Sequence, residues 1–401
     1  MMVDHRKLGR ELELFHSDPL AGAGLPIWLP AGAAARQAVE DRVRERERRA
    51  GYQHVVSPPL GKRELYELSG HADHFADDMF PAMRMSADDE LVLRPSLCPH
   101  HALVFRARGR SYRELPLRIA ELGGIYRAER SGVLGGLSRV RAISLNDGHT
   151  FCAPEHVVDE VGNELALIGQ AHAELGVRVS SVRLSLRGDG GKFVDDPAMW
   201  ARAEAVLREA LARAGIDHVE APGEAAFYGP KIDIQVRDDA GRELTLSTVQ
   251  ADYGKPHRFG LSYATSDGSR QVPVMIHRSM VGSMERLFAH LIEVHAGAFP
   301  VWYAPVQVAV LPVAAEQEEA AAGFVRAGIE AGLRMEASVG ASLASRIRRC
   351  AQRRVPYVAV IGEREAAAGE VALRQRDGGE LPPMPAADGL RLVADAVAAH
   401  R

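Results

Sequence analysis

The sequence has no paired cysteines. Cys98, Cys152 and Cys350 are an odd set without Cys-x-x-Cys spacing, which argues against a disulfide framework and for a reducing compartment. It also has no long apolar run. The opening stretch MMVDHRKLGRELELF carries no apolar signal core, and no later segment has the length of a membrane helix. A cytoplasmic protein with no membrane partner is expected. Nor is there an excess of one charge sign. Lys plus Arg number 49 and Asp plus Glu 53, a net charge of -4, so the chain is not a globally basic nucleic-acid binder, although local basic patches can still bind RNA. Internal repeats and low-complexity linkers are absent. What remains is a 401-residue chain, 46% hydrophobic and 25% charged, the balance of a soluble protein with two domains, one of them large.

Residues 34–50 mix charge with apolar residues at helical spacing and predict a long helix whose RVRERERR stretch is a solvated face. GYQHVVSPPL predicts a short strand stopped by Pro58 and Pro59. Residues 117–129 and 139–147 predict a hairpin around the glycine-rich RSGVLGGLS, and further strands are expected at 226–236, 243–250 and 272–278. In 281–296, Met284, Leu287, Phe288, Leu291 and Ile292 recur at i, i+3, i+4 spacing, the apolar face of a helix. After residue 303 strands and helices alternate, the pattern of a small α/β domain with a largely parallel sheet. The expected fold class is α+β: an antiparallel-sheet domain over 1–302, then an α/β domain over 303–401.

Five stretches in collinear order carry a resemblance: SGHADHFADDMF, SYRELPLRIAELGGIYRAERSG, AAFYGPKIDI, PVMIHRSMVGSMERLF and, near the end, RRVPYVAVIGERE. The first four resemble the catalytic domain of threonyl-tRNA synthetases, class II aminoacyl-tRNA synthetases, and the last resembles their anticodon-binding domain. The resemblance implies ligation of threonine to tRNA through threonyl-adenylate, with ATP and Mg2+. The chemistry suits the residues. A carboxylate joins the α-phosphate of ATP and pyrophosphate leaves, and arginine forks bind both kinds of oxygen. The resemblance makes Arg127 the bridge between substrate carboxylate and α-phosphate and places Glu129 near the adenine amino group. It sets Arg286 on the γ-phosphate at a helix start and Lys231 in the active site. Arg139 and Arg141 lie on the returning hairpin strand, with Arg141 expected at ATP.

The resemblance also implies a zinc site. RPSLCPHH, NDGHTF and VMIHRS supply Cys98, His149 and His277, which no spacing rule would nominate; for an arbitrary histidine a structural role is the ordinary reading. One cysteine and two histidines leave a fourth position open to substrate. Threonine and valine are near isosteres that an apolar pocket separates only about a hundredfold, whereas zinc bound by amine and hydroxyl rejects valine. Asp147 is the expected acceptor for the hydroxyl, Tyr228 and Gln250 complete the pocket, and His100 and His101 are assigned supporting roles. Pro58, behind a long helix, implies a homodimer.

The chain departs from the family in several places. It has no counterpart of the N-terminal half of a typical bacterial member, including the domain that hydrolyses mischarged seryl-tRNA. The family's Gly-Phe-Thr-Gln-Asp-Asp-Ala-His is here Ala142 to His149, so Ile143 covers adenine in place of an aromatic ring. Leu145 replaces a glutamine, which opens the substrate to a related β-hydroxy amino acid. Ser247 stands for a glycine, and Gly340 and Ala367 stand where polar residues would face the anticodon, while Arg374 and Arg376 remain. Two other readings are an adenylating relative that hands its product to a carrier-protein thiol, and a silent paralogue. The latter is disfavoured because the arginines, Glu129, Lys231 and all three zinc ligands are kept together.

Overall fold

The structure, a computed structural model, describes residues 3–86, 89–190, 193–238 and 240–400. Its centre is an eight-stranded sheet. In chain order its strands are β1 (Gln53–His54), β2 (Leu117–Tyr126), β3 (Ala142–Cys152), β4 (Val179–Leu186), β5 (Val219–Pro222), β6 (Lys231–Arg237), β7 (Glu243–Asp252) and β8 (Val274–Ser279). Their spatial order is β5-β4-β6-β7-β8-β3-β2-β1. Only the outer pairs β4/β5 and β1/β2 are parallel; the inner pairings are antiparallel. The predicted hairpin is β2/β3, whose strands stop short of the glycine-rich loop and, on the β3 side, run on to Cys152.

Helices α1 (Pro30–Arg49), α2 (Cys98–Arg106), α3 (Val157–Leu175) and α4 (Pro197–Arg213) pack around this sheet. The predicted apolar helix is α5 (Met284–Val294). Met284, Leu287, Phe288, Leu291 and Ile292 are all fully buried, and Ser283 caps the helix by accepting the Arg286 N–H at 3.1 Å. Gly282, with φ +70°, makes the turn into it; a Cβ there would meet the Leu246 carbonyl oxygen at 2.4 Å.

One expectation for α1 fails. Glu47, within RVRERERR, is fully buried rather than solvated. It accepts from Arg278 at 2.8 Å, Asn146 at 2.8 Å and His54 at 2.8 Å. Arg278 in turn pairs with Glu164 at 3.3 Å and lies over Tyr52 at 4.6 Å. A buried arginine needs such carboxylates, and Gly148 provides the room, since a Cβ there would meet Arg278 at 2.5 Å. This network ties α1 to the strands beneath the site.

The second sheet contains β9 (Val308–Pro312), β10 (Met335–Ala337), β11 (Tyr357–Ile361), β12 (Glu370–Gln375) and β13 (Met384–Pro385), in the order β10-β9-β11-β12-β13. The first two pairings are parallel and the last two antiparallel, so the sheet is mixed rather than largely parallel. Arg376 donates to the Phe299 carbonyl at 2.9 Å, and Arg334 to those of Ala304 and Trp302 at 2.9 and 2.7 Å, fastening this sheet to the first core.

His172 on α3 is buried, and its Nδ1 has no hydrogen-bond partner among the described residues. Ser247 Oγ donates to the Met280 carbonyl at 2.7 Å, so His172 Nε2–H donates to Ser247 Oγ at 2.8 Å. Burial, helped by nearby His290, lowers the His172 pKa from 6.5 to about 4. The unfolded chain therefore takes up this proton first, and stability falls as pH drops from about 6.5 towards 4, by roughly 3 kcal/mol at the low end. Denaturant midpoints measured from pH 7.5 to 5 should fall less steeply for His172→Gln than for the unsubstituted chain. Equal slopes would contradict this.

Candidate functional site

Cross-strand register builds the site. Lys231 on β6 faces Gln250 on β7, Gln250 faces His277 on β8, and His277 faces His149 on β3. Four side chains far apart in sequence thus form one row across the sheet. Along β3, Ile143, Leu145, Asp147 and His149 share that face because strand side chains alternate with period two. Asp147 and Leu145 lie opposite Glu121 and Gly123 of β2.

Above this face lies a cleft of ≈ 430 Å³, lined by His71, Phe75, Ser96, Arg127, Leu145, Asp147, Tyr228, Lys231, Gln250 and His277, among others. A second space of ≈ 160 Å³ is lined by Arg127, Glu129, Arg139, Ile143, Leu145, Thr245 and Arg286. The two share Arg127, Leu145, Thr248 and Ser279, so Arg127 sits at their seam. Its guanidinium has few anchors: Nε reaches the Pro95 carbonyl at 3.5 Å and the group lies 5.8 Å from the Phe75 ring. Burial lowers its pKa, partly offset by Glu129 and Asp78. Arg286 is held by the Ser138 and Thr245 carbonyls at 3.3 and 3.0 Å. Lys231 pairs with Asp233 at 2.8 Å, and the Tyr228 hydroxyl donates to Gln250.

The hairpin arginines divide differently from expectation. Arg139 lines the smaller space and pairs with Glu129 at 2.7 Å. Arg141 turns towards the Glu129 and Ala23 carbonyls at 2.9 and 3.3 Å and is not among the residues lining either space.

Cys98, at the start of α2, meets His149 and His277 with ligand atoms all within 4.8 Å of one another, and all three residues are buried. Proton bookkeeping tests whether a cation fits. His277 Nε2 is 3.0 Å from Asp252 Oδ2, and His101 Nε2 is 3.3 Å from Glu121 Oε2. Burial lowers the pKa of all three imidazoles, so each is neutral and carries one proton. Asp252 takes the His277 proton and Glu121 takes that of His101. His101 Nδ1 is then bare, so His149 must donate to it across 2.6 Å. This leaves His149 Nε2 and His277 Nδ1 as two bare lone pairs facing each other at 2.9 Å, beside a thiol. A cation shared between them would satisfy both, and a soft sulfur with two imidazoles suits zinc.

The surrounding carboxyls follow the same logic. Burial opposes ionisation of Glu121, but His101, Ser57 and Arg94 outweigh it and hold the group to about 2. Burial likewise opposes Asp252, where Lys255 and His277 prevail and keep it ionised. Burial pushes Asp147 up to about 7 and Cys98 up to about 11. Sequence reasoning missed Asp252, Lys255 and Glu121; no motif or spacing singles them out, because their roles come from register.

The sequence and fold have known counterparts. The tRNA synthetase class II core domain (G, H, P, S and T) matches residues 82–295, and an anticodon binding domain matches 307–395. A threonine–tRNA ligase of Geobacillus kaustophilus is 46% identical over 99% of this chain, which covers 62% of that protein. The chain thus spans about three-fifths of the length of such curated relatives. The RNA binding domain of threonyl-tRNA synthetase from Cryptosporidium parvum Iowa II is 33% identical with a TM-score of 0.93, covering 98% of each chain. A putative threonyl-tRNA synthetase, ThrRS-1 from Aeropyrum pernix, is 28% identical with a TM-score of 0.84, over 99% of this chain and 97% of that one. Among the described residues no helix is long and apolar enough to cross a membrane. With both domain matches in order and similarity along nearly its whole length, the chain belongs to the threonyl-tRNA synthetase family of class II aminoacyl-tRNA synthetases.

Proposed function

We propose that this chain activates threonine, or a closely related β-hydroxy amino acid, with ATP and transfers the aminoacyl group to tRNA(Thr). The observation that carries the reading is Arg127 at the seam between an amino-acid-sized cleft and a second space lined by Glu129, Ile143 and Arg286. There its fork bridges a carboxylate and an α-phosphate. A substrate carboxylate oxygen attacks the α-phosphorus, the bond to the bridging oxygen breaks, and pyrophosphate leaves. Arg127 stabilises charge at the reacting phosphate, and Arg286 with Arg139 holds the polyphosphate, which enters with Mg2+. Glu129 recognises the adenine amino group and Ile143 covers the ring. Lys231 adds positive charge near the carboxylate end.

Cys98, His149 and His277 hold zinc, which when bound supplies a Lewis-acid position for the amine and hydroxyl of the amino acid. Asp147 accepts the substrate hydroxyl, and Tyr228 with Gln250 forms the wall beside it. We place the enzyme in the cytoplasm as a homodimer through the Pro58 segment, where β1 is an open sheet edge and Val56 is 97% exposed. We divide it close to 302/303: the first core still takes in Tyr303 and Ala304, and the second begins at Val308. The carrier-protein alternative has no supporting observation.

Anticodon reading requires polar side chains at base edges, and Gly340 and Ala367 offer none. Of the arginines in 345–354, Arg346 is buried on the Ser338 carbonyl and Arg353 pairs with Glu336. Free charge there binds phosphate without reading sequence. We expect threonine-tRNA transcripts with native and scrambled anticodons to be charged at rates within about tenfold, with strong salt dependence. A loss of several orders of magnitude on scrambling would contradict the weak-reading claim. Failure to charge either transcript, with amino-acid activation intact, would overturn tRNA as the acceptor.

A further inference from the structure

Lys255 is 2% exposed, whereas the other lysines among the described residues, Lys7, Lys62 and Lys231, are exposed or half-buried. It belongs to the short helix Gly254–Arg258 that follows β7. Its ammonium lies 3.1 Å from Asp252 Oδ2, the same oxygen that receives the His277 Nε2–H at 3.0 Å. Asp252 Oδ1 is occupied by the backbone N–H groups of Gly254 and Lys255, each at 2.9 Å. The ammonium also rests 2.9 Å from the centre of the Tyr228 ring and 5.4 Å from that of Phe227. One buried cation therefore touches the carboxylate behind a metal ligand and the ring of a pocket wall, without lining the cleft itself.

We propose that Lys255 is a positioning residue that sets the electrophilicity of the ion held by Cys98, His149 and His277, and fixes Tyr228 for the amino acid. The inference rests on the zinc reading above. A carboxylate behind a ligating histidine raises the basicity of the ring and tightens the metal. Here Asp252 Oδ2 divides its electron density between two donors, so it draws less on the His277 proton and Nδ1 donates less to the ion. The nearby positive charge acts in the same direction through space. The ion is held less tightly and accepts electron pairs from substrate more strongly. The same ammonium pins the Tyr228 ring by cation–π attraction, and through its hydroxyl also Gln250.

Lys255→Met keeps the length and apolar contacts of the side chain and removes its charge. In competition with a chelator of known strength, its zinc affinity should rise about tenfold, the lower end of effects from groups behind metal ligands. The KM for threonine in pyrophosphate exchange should rise, with a smaller change in kcat. Asp252→Asn, which weakens the acceptor for His277, should instead lower zinc affinity. A merely structural role for Lys255 predicts a lower melting temperature with equal or weaker zinc binding in Lys255→Met, and that result overturns the proposal. If Lys255→Met does not fold, Lys255→Gln retains a neutral donor to Asp252 and carries the same expectation of tighter zinc. Stoichiometric zinc in the unsubstituted chain with unchanged affinity in the variant overturns this inference alone. Absence of zinc from the unsubstituted chain overturns the metal reading and this inference with it.

Discussion

Arg127→Ala should lower threonine-dependent ATP–pyrophosphate exchange by about 10³-fold, the upper end of what one preorganised donor contributes, while leaving the protein folded. The two halves of this expectation have one cause. Among the described residues Arg127 has no carboxylate in contact; its anchors are a long bond to the Pro95 carbonyl and the Phe75 ring. Removing it breaks no internal ion pair, so the stability cost is small. In the proposed reaction its partners are instead the two anions that meet, and both would lose their shared fork at the step where charge shifts onto the phosphate. Arg127→Lys restores a point charge without the fork and should recover only part of the rate. Exchange within tenfold of the unsubstituted chain in Arg127→Ala would contradict this role. Arg278 makes the useful contrast: it is more deeply buried than Arg127, at 1% exposed, but it is paired to Glu47 and Glu164 and belongs to the scaffold.

Cys98→Ala should lose both the metal, from about one per chain to near zero, and amino-acid activation. Burial holds the free thiol up to about 11, so without an ion Cys98 is a neutral thiol beside Ser96 Oγ at 3.1 Å. A bound cation converts it to thiolate. Two imidazoles alone hold zinc weakly, and the bare nitrogens of His149 and His277 then face each other unsatisfied. Metal analysis on chelator-free preparations, alongside exchange assays, reads both effects. Stoichiometric metal or undiminished exchange in Cys98→Ala would remove Cys98 from the site.

Local pattern made some of this legible and register hid the rest. The apolar spacing of Met284 to Ile292 predicted the helix and its buried face, because a 3.6-residue period is written in consecutive residues. The glycine-rich turn predicted the β2/β3 hairpin. The site residues came from resemblance, since nothing local links Lys231, Gln250, His277 and His149. They meet only because four strands align in one register, which depends on pairing across the sheet. Glu47 was misread for the same reason. Among alternating charges it looks solvated, and only the position of Arg278 beneath β3 turns it inward. Lys255 carried no signal because an isolated lysine reads as surface until its burial is seen. That Arg139 and not Arg141 lines the smaller space could not be read locally: β3 begins at Ala142, and both residues belong to the turn before it, whose path no periodicity fixes.

The most direct test of the account is ATP–pyrophosphate exchange across a panel of amino acids with the zinc-loaded protein. Threonine should support exchange. Serine should support it about 10- to 100-fold less well, because it keeps both groups that bind the metal and loses only methyl contacts. Valine should stay near background, because it has no hydroxyl to offer zinc and Asp147. Equal exchange with valine and threonine, or exchange with no amino acid, would contradict the account.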